Sequence, residues 1–238
     1  VNETAHLFGD TAKPACNLVI NFAYATRSSD VKLKDSLNTF FLSACFGDKY
    51  MTMTPEEAIK KYTEKYVNDY RKDLEPMYRK DEQDKEDGAS MEAWYSYYKG
   101  IESNIQLYIK NLLVYRIDYN EYTGGAHGIY MSSFLNMDLR TLSPVRLDDL
   151  FASDYKDALT DLLWNQLMAD NKVATRQATT GELEPTENFY LDPEGITFYY
   201  NVYDIAPYVM GPVKITLPYE AMQHLLSDDN GILDSIKN

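Results

Sequence analysis

The amino-acid sequence predicts an α+β fold, an antiparallel sheet of meandering strands covered by three to four amphipathic helices. Three observations predict it. Apolar residues recur at period two over residues 14–25 and through much of 91–139, as half-buried strands require; they recur at helical spacing over 31–46, 54–74 and 154–167; and the junctions carry Gly, Pro, Asp and Asn in place of periodicity. With 238 residues and 45% hydrophobic side chains, the chain can bury a sizeable core without disulfides or metals. The pattern is expected to build one α+β domain over 11–226 in two intertwined halves, 11–110 and 111–226, with 1–10 and 227–238 as flanking tails.

In chain order, residues 14–25 form the first expected strand, with Cys16, Leu18, Ile20, Phe22 and Tyr24 on one face. Residues 31–46 switch to helical spacing through Leu33, Leu37, Phe40, Phe41 and Cys45, and Gly47 ends that helix. Thr54-Pro55-Glu56-Glu57 opens a second helix, because Thr54 can cap it, Pro55 suits its first position and Glu57 can reach back to the cap's amide. Its buried stripe is Ile59, Tyr62, Tyr66, Tyr70 and Leu74. The charge run at 81–88 lacks apolar anchors and EF-hand spacing, and is expected as a solvated loop. Strands follow at 94–99, 105–109, 112–122 and 129–139. Asp148-Asp149-Leu150-Phe151 leads into a third helix near Asp154, whose stripe of Ala158, Leu159, Leu162, Leu163 and Leu167 should lie on the sheet. Residues 171–188 are polar and carry Gly181 and Pro185, as a loop does. Asp192-Pro193-Glu194-Gly195 is a type I turn between strands at 189–191 and 196–200. Residues 213–217 supply a last strand, and Pro218 opens a helix to 226.

Charge narrows the partners. Thirty-seven acidic residues against 23 basic ones give a net charge of −14, which repels nucleic-acid phosphates and draws in a cationic protein. Solubility alone also accounts for such acidity. No apolar run reaches the length of a membrane helix; the longest candidate, 18–25, is interrupted by Asn21. The chain starts at Val1 rather than Met, as expected if a targeting segment has been removed. Cys16 and Cys45 both fall on inward faces and are expected as buried thiols, with a strand-to-helix disulfide as the alternative in an oxidising compartment.

The residues that carry chemistry are few. His6, His127 and His224 show no local metal-ligand spacing, no GxSxG elbow or Cys–His pairing marks a nucleophile, and no cofactor motif appears. Asp148-Asp149 and Asp228-Asp229 raise a hydrolase as one reading, but adjacent carboxylates rarely converge on one bond and the first pair can cap the segment that follows. Two irregular segments remain as candidate ligand-binding sites. One is Tyr122-Thr123-Gly124-Gly125-Ala126-His127-Gly128 between two strands, where Tyr122, Gly124, Gly125 and His127 are the expected contacts; the other holds Tyr203, Pro207, Tyr208 and Gly211. Twenty-one tyrosines, spread over both strand parities, leave some rings facing away from the core, where they suit a protein or glycan surface.

Four stretches taken together, Tyr122 to His127, Asn136-Met137-Asp138-Leu139, Val145-Arg146-Leu147-Asp148-Asp149-Leu150-Phe151, and Tyr203-Asp204-Ile205-Ala206-Pro207-Tyr208 with Gly211-Pro212, resemble the RsiV-like extracellular domain family. These are the paired domains of unknown function of the lysozyme-sensing anti-sigma factor, which also precede the catalytic domain of a peptidoglycan deacetylase. The resemblance spans about residues 14–226 and is strongest after Tyr122. It implies a non-catalytic module outside the cytoplasm of a bacterium, secreted, periplasmic or lipid-anchored in the envelope. The partner it implies is a basic protein such as lysozyme, with peptidoglycan or another polysaccharide as the alternative.

Overall fold

The computed structural model describes residues 1–83, 92–170, 182–227 and 231–237, and has the α+β fold that the sequence predicts. The chain divides into two compact units, Val1–Ser103 with Asp118–Tyr130, and Asn104–Ile117 with Met131–Asn238.

In the first unit β1 (Asn2–His6) pairs antiparallel with β2 (Ala15–Asn21), with Glu3 opposite Leu18. Helix α1 (Val31–Phe46) is capped by Asp30, whose Oδ1 accepts from the Leu33 amide at 3.1 Å. Helix α2 (Pro55–Gln83) begins with the expected reciprocal cap: the Thr54 amide donates to Glu57 Oε2 and the Glu57 amide to Thr54 Oγ1, both at 3.2 Å. After the short α3 (Glu92–Tyr95), β3 (Tyr97–Ile109) runs parallel to β2, with Cys16 opposite Tyr97. Parallel neighbours need a long crossover, and α1 and α2 supply it. The sheet is therefore not wholly antiparallel.

Alternation explains the packing. Ala5, Leu7 and Cys16 turn inward against Tyr70, Leu74 and Tyr95. The Tyr70 hydroxyl donates to the Tyr95 carbonyl at 2.8 Å, which satisfies a polar tip that would otherwise be stranded. Cys16 and Cys45 are buried and not joined to each other, and burial pushes the Cys16 thiol up to about 11. A thiol-exchange reagent at about pH 8 should therefore leave both cysteines of the folded protein unmodified and titrate two thiols once denaturant is added. Fast labelling of the native state would contradict this burial.

Several elements differ from the sequence expectation, each for a local reason. Residues 94 and 95 belong to α3 rather than to a strand, because the Ser96 hydroxyl bonds back to the Glu92 carbonyl at 2.8 Å and closes a helical turn. Strand β3 then runs unbroken through Gly100, where two strands are expected. Asp81, Glu82 and Gln83 extend α2 instead of opening the charged loop, anchored by ties from Lys13 to Glu82 at 2.6 Å and from Tyr95 to Asp81 at 2.5 Å; residues 84–91 lie outside the described residues. Residues 2–6 form β1 although their polar run Asn2-Glu3-Thr4 gives no alternation, since β2 supplies the ladder. The first strand stops at Asn21 rather than continuing to residue 25.

In the second unit β3 turns through Lys110 and Asn111 into β4 (Leu112–Tyr122), whose neighbour in the sheet is β5 (Ile129–Asp138), followed by the two-residue β6 (Ser143–Pro144). The six strands lie in sequence order. A short helix α4 (Leu147–Leu150) precedes α5 (Lys156–Ala169). A separate antiparallel sheet of β7 (Phe189–Leu191), β8 (Gly195–Tyr200) and β9 (Val213–Pro218) carries α5 against β9. Leu159, Leu163, Trp164 and Leu167 of α5 share one core with Phe198, Ile215 and Leu217. The β7–β8 turn is held by Asp192 Oδ1, which accepts from the amides of Glu194 at 2.8 Å and Gly195 at 3.0 Å. Helix α6 (Tyr219–Met222) stops four residues short of the expected end, and α7 (Gly231–Lys237) has no counterpart in the sequence pattern. The expected loop is present at 182–188, while residues 171–181 are outside the described set.

Asparagine amides tie β5 to the smaller sheet. Asn188 donates to the carbonyls of Ser132 at 3.0 Å and Tyr199 at 3.1 Å and accepts from the Phe134 amide at 3.1 Å, while Asn201 accepts from the Ser132 amide at 2.7 Å. Asn136, from β5, bonds the backbone of β7 in return. No helix among the described residues is long and apolar enough to cross a membrane.

Candidate functional site

The glycine-rich loop of the first unit joins β4 to β5. Gly124 and Gly125 have φ of +86° and +95°, in the left-handed region where a side chain costs most. A Cβ on Gly124 would stand 2.8 Å from the Trp94 carbonyl oxygen, so the loop lies backbone to backbone on α3. Tyr122 fastens it there: its hydroxyl donates to the Gly125 carbonyl at 2.9 Å and also reaches the Ala93 carbonyl, at 3.4 Å. His127 is exposed, with Nδ1 3.1 Å from the Gly128 carbonyl. The clasp leaves the Trp94 ring in solvent, 66% exposed. Sequence reading missed Trp94 because it assigned that residue to a strand; a large aromatic beside a turn-forming charged segment was the available signal.

The other predicted residues lie in the second unit, in one segment between β8 and β9. The Asn201 amide bonds Asp204 Oδ2 at 2.7 Å and tightens a turn in which Tyr203 takes φ +72°, a conformation uncommon for an aromatic residue. Val202, Ile205 and Ala206 are buried and anchor the segment, while Pro207 is exposed and leads into a single 3-10 turn, Tyr208–Met210, ended by Gly211. The rings of Tyr203 and Tyr208 lie 5.6 Å apart at 34°. Beside them Val209 is 90% exposed. Tyr203, Pro207, Tyr208 and Gly211 are thus brought together in one unit, as Tyr122, Gly124, Gly125 and His127 are in the other.

The strand tyrosines divide between core and surface: Tyr115, Tyr199 and Tyr200 are buried, with the Tyr200 hydroxyl tied to the Glu184 carbonyl at 2.7 Å, while Tyr98, Tyr108 and Tyr130 face solvent. The first carboxylate pair is also occupied: Asp149 Oδ2 accepts from the Arg146 amide at 2.8 Å and Asp148 Oδ1 from the Tyr155 hydroxyl at 2.9 Å. Asp228 and Asp229 lie outside the described residues. Among the described residues, no three His, Cys, Asp or Glu side chains gather as a metal site would need.

This α+β architecture is shared with domains of known structure. Residues 148–220 match the family described as protein of unknown function DUF3298, and residues 10–130 match the family described as deacetylase PdaC. The crystal structure of a DUF3298 family member from Bacteroides fragilis is 66% identical, with TM-score 0.93 over 100% of this chain and 94% of that one. A DUF3298 family protein from Pseudomonas aeruginosa shares the fold at 17% identity and TM-score 0.62, over 96% and 93% of the two chains. The peptidoglycan-N-acetylmuramic acid deacetylase PdaC of Bacillus subtilis is 21% identical over 190 residues, 77% of this chain. The chain spans 38% of the length of that curated relative. The chain belongs to the DUF3298/PdaC-like family.

Proposed function

We propose that this chain is a non-catalytic binding module that works outside the cytoplasm, at the bacterial cell wall, and holds wall glycan on exposed aromatic rings. The carrying observation is Trp94, whose ring is two-thirds exposed and whose main chain lies against the Gly124-Gly125 loop that Tyr122 clasps. An indole on an anchored backbone has only two side-chain torsions to order, so it loses little entropy on stacking against a sugar. The Tyr203–Tyr208 pair offers a second platform, and a relative named for its action on peptidoglycan supports this ligand class. His127 and Gly125 belong to the loop beside the first platform, and Pro207 and Gly211 to the segment that carries the second.

The test is co-sedimentation with purified sacculi. Wild type is expected to be retained even in about 1 M salt, where charge attraction is screened within about 3 Å. Trp94→Ala and Tyr203→Ala should each weaken retention roughly fivefold, the worth of about 1 kcal/mol of ring stacking. Wild type that stays in the supernatant sinks the reading.

The net charge of −14 favours a second reading, capture of a basic protein such as a lysozyme. Calorimetry with a basic muramidase should then show binding at low ionic strength that fades as salt is added; no heat at low salt removes it.

A further inference from the structure

The geometry points to a second recognition site, in the first unit and independent of the aromatic platforms: the free edge of β1 and the adjoining face of α2 form a groove that receives an extended, cationic peptide as an added strand. The hydrogen-bond parity of β1 carries this. Val1 and Ile20 exchange backbone bonds, Val1 N to Ile20 O at 2.7 Å and Ile20 N to Val1 O at 2.9 Å. Alternation in an antiparallel ladder then turns the N–H and C=O groups of Asn2 and Thr4 away from β2. Those groups have no partner among the described residues. Strand β1 is also the outermost in its sheet.

Helix α2 closes this edge at one end only. Arg71 Nε donates to the His6 carbonyl at 3.1 Å and Glu75 accepts from the Phe8 amide at 2.7 Å. Towards the start of β1 the helix stands off and leaves a groove of about 570 Å³, lined by Glu3 from the strand and by Glu56, Ile59, Thr63 and Val67 from α2. Thr63 Oγ1 is shielded from water and has no hydrogen-bond partner among the described residues. A buried hydroxyl left in that state is a cost that an occupant can relieve. Ile59, Thr63 and Val67 recur at four-residue spacing, so they offer one apolar stripe to alternate side chains of an added strand.

Charge chooses the occupant. Lys60 and Glu64 pair with each other at 3.9 Å, and the carboxylates of Glu3 and Glu56 then outnumber the one remaining positive charge at the groove, the Val1 ammonium, so negative charge predominates there. A second copy of this chain would bring another −14 and another Glu3 to the same edge, so like charge opposes self-pairing. A peptide with apolar and basic residues alternating on its groove-facing side meets both features.

An acetylated, amidated heptapeptide, Val-Thr-Lys-Thr-Val-Thr-Lys, tests this by calorimetry against the whole chain. Saturable binding is expected, weakened at least tenfold when Glu replaces Lys in the peptide, and at least tenfold when alternate backbone amides are N-methylated. Thr4→Pro removes an outward N–H while leaving the backbone bonds to β2, and should weaken binding similarly, with Thr4→Ala as the control for the lost Thr4 Oγ1 to Asn17 Oδ1 bond; Glu3→Lys keeps the edge and reverses the charge, with the same expected direction. Trp94→Ala should leave peptide binding unchanged, which separates this site from the glycan reading. The proposal is overturned by no binding at about 1 mM peptide, by equal binding of the N-methylated or glutamate peptides, or by wild-type self-association that Thr4→Pro abolishes.

Discussion

Replacing Asn136 by alanine is expected to destabilise the second unit by about 2–6 kcal/mol, because two buried backbone groups lose their partners at once, each worth about 1–3 kcal/mol. The side chain is 2% exposed. Its Nδ2 donates to the Phe189 carbonyl at 2.8 Å and its Oδ1 accepts from the Leu191 amide at 3.0 Å. Strand β7 exchanges bonds with β8 through residues of the other parity: the Tyr199 amide donates to the Asn188 carbonyl and the Asp192 amide to the Gly195 carbonyl. Phe189 and Leu191 therefore present their groups to the outer edge, where the single amide of Asn136 stands in for a neighbouring strand. Thermal unfolding monitored on this unit should show a midpoint lower by roughly 5–15 °C. Asn136→Leu separates the effects, since it restores volume but not hydrogen bonds and should remain nearly as unstable. A leucine variant of wild-type stability would mean that packing, not the amide, holds β7.

This device also shows what a sequence can and cannot announce. The helix starts were legible because capping is local: Thr54 and Glu57 are three residues apart and bond each other. The stripe of α5 was legible for the same reason, as 3.6-residue periodicity places Leu159, Leu163 and Leu167 on one face. Asn136 is different. Its partners Phe189 and Leu191 are more than fifty positions away, and nothing near Asn136 marks it as a strand surrogate. Strand β1 was illegible because its pairing comes wholly from β2, not from its own alternation. In the candidate sites, the turn-forming residues Gly124, Gly125, Pro207 and Gly211 declared their segments, since special backbone needs special residues. The exposed rings that give those segments their chemistry were only half visible. Tyr203 and Tyr208 were within the segment, whereas Trp94 comes to the loop beside Ala93, whose carbonyl the Tyr122 hydroxyl reaches across 29 positions in sequence.

Gly195→Ala is expected to destabilise the second unit by about 3 kcal/mol, at the upper end of the usual penalty for overpacking. Gly195 opens β8 opposite Pro218 of β9. A methyl there would sit 2.2 Å from the Leu217 carbonyl oxygen, 2.9 Å from its carbon and 3.1 Å from the Pro218 Cα. All three atoms are main chain, so no side chain can swing aside and the two strands must part. Parting is costly because every residue of β8 is buried and its neighbours on both faces would lose contact together. Gly125→Ala provides the contrast. A methyl at Gly125 meets nothing within 4 Å, and the substitution carries only the left-handed backbone penalty of about 1–2 kcal/mol. Chemical denaturation of the two variants should therefore rank Gly195→Ala as the less stable, with Gly125→Ala between it and wild type. The reverse order would show that β8 and β9 do not approach as closely as their backbones require.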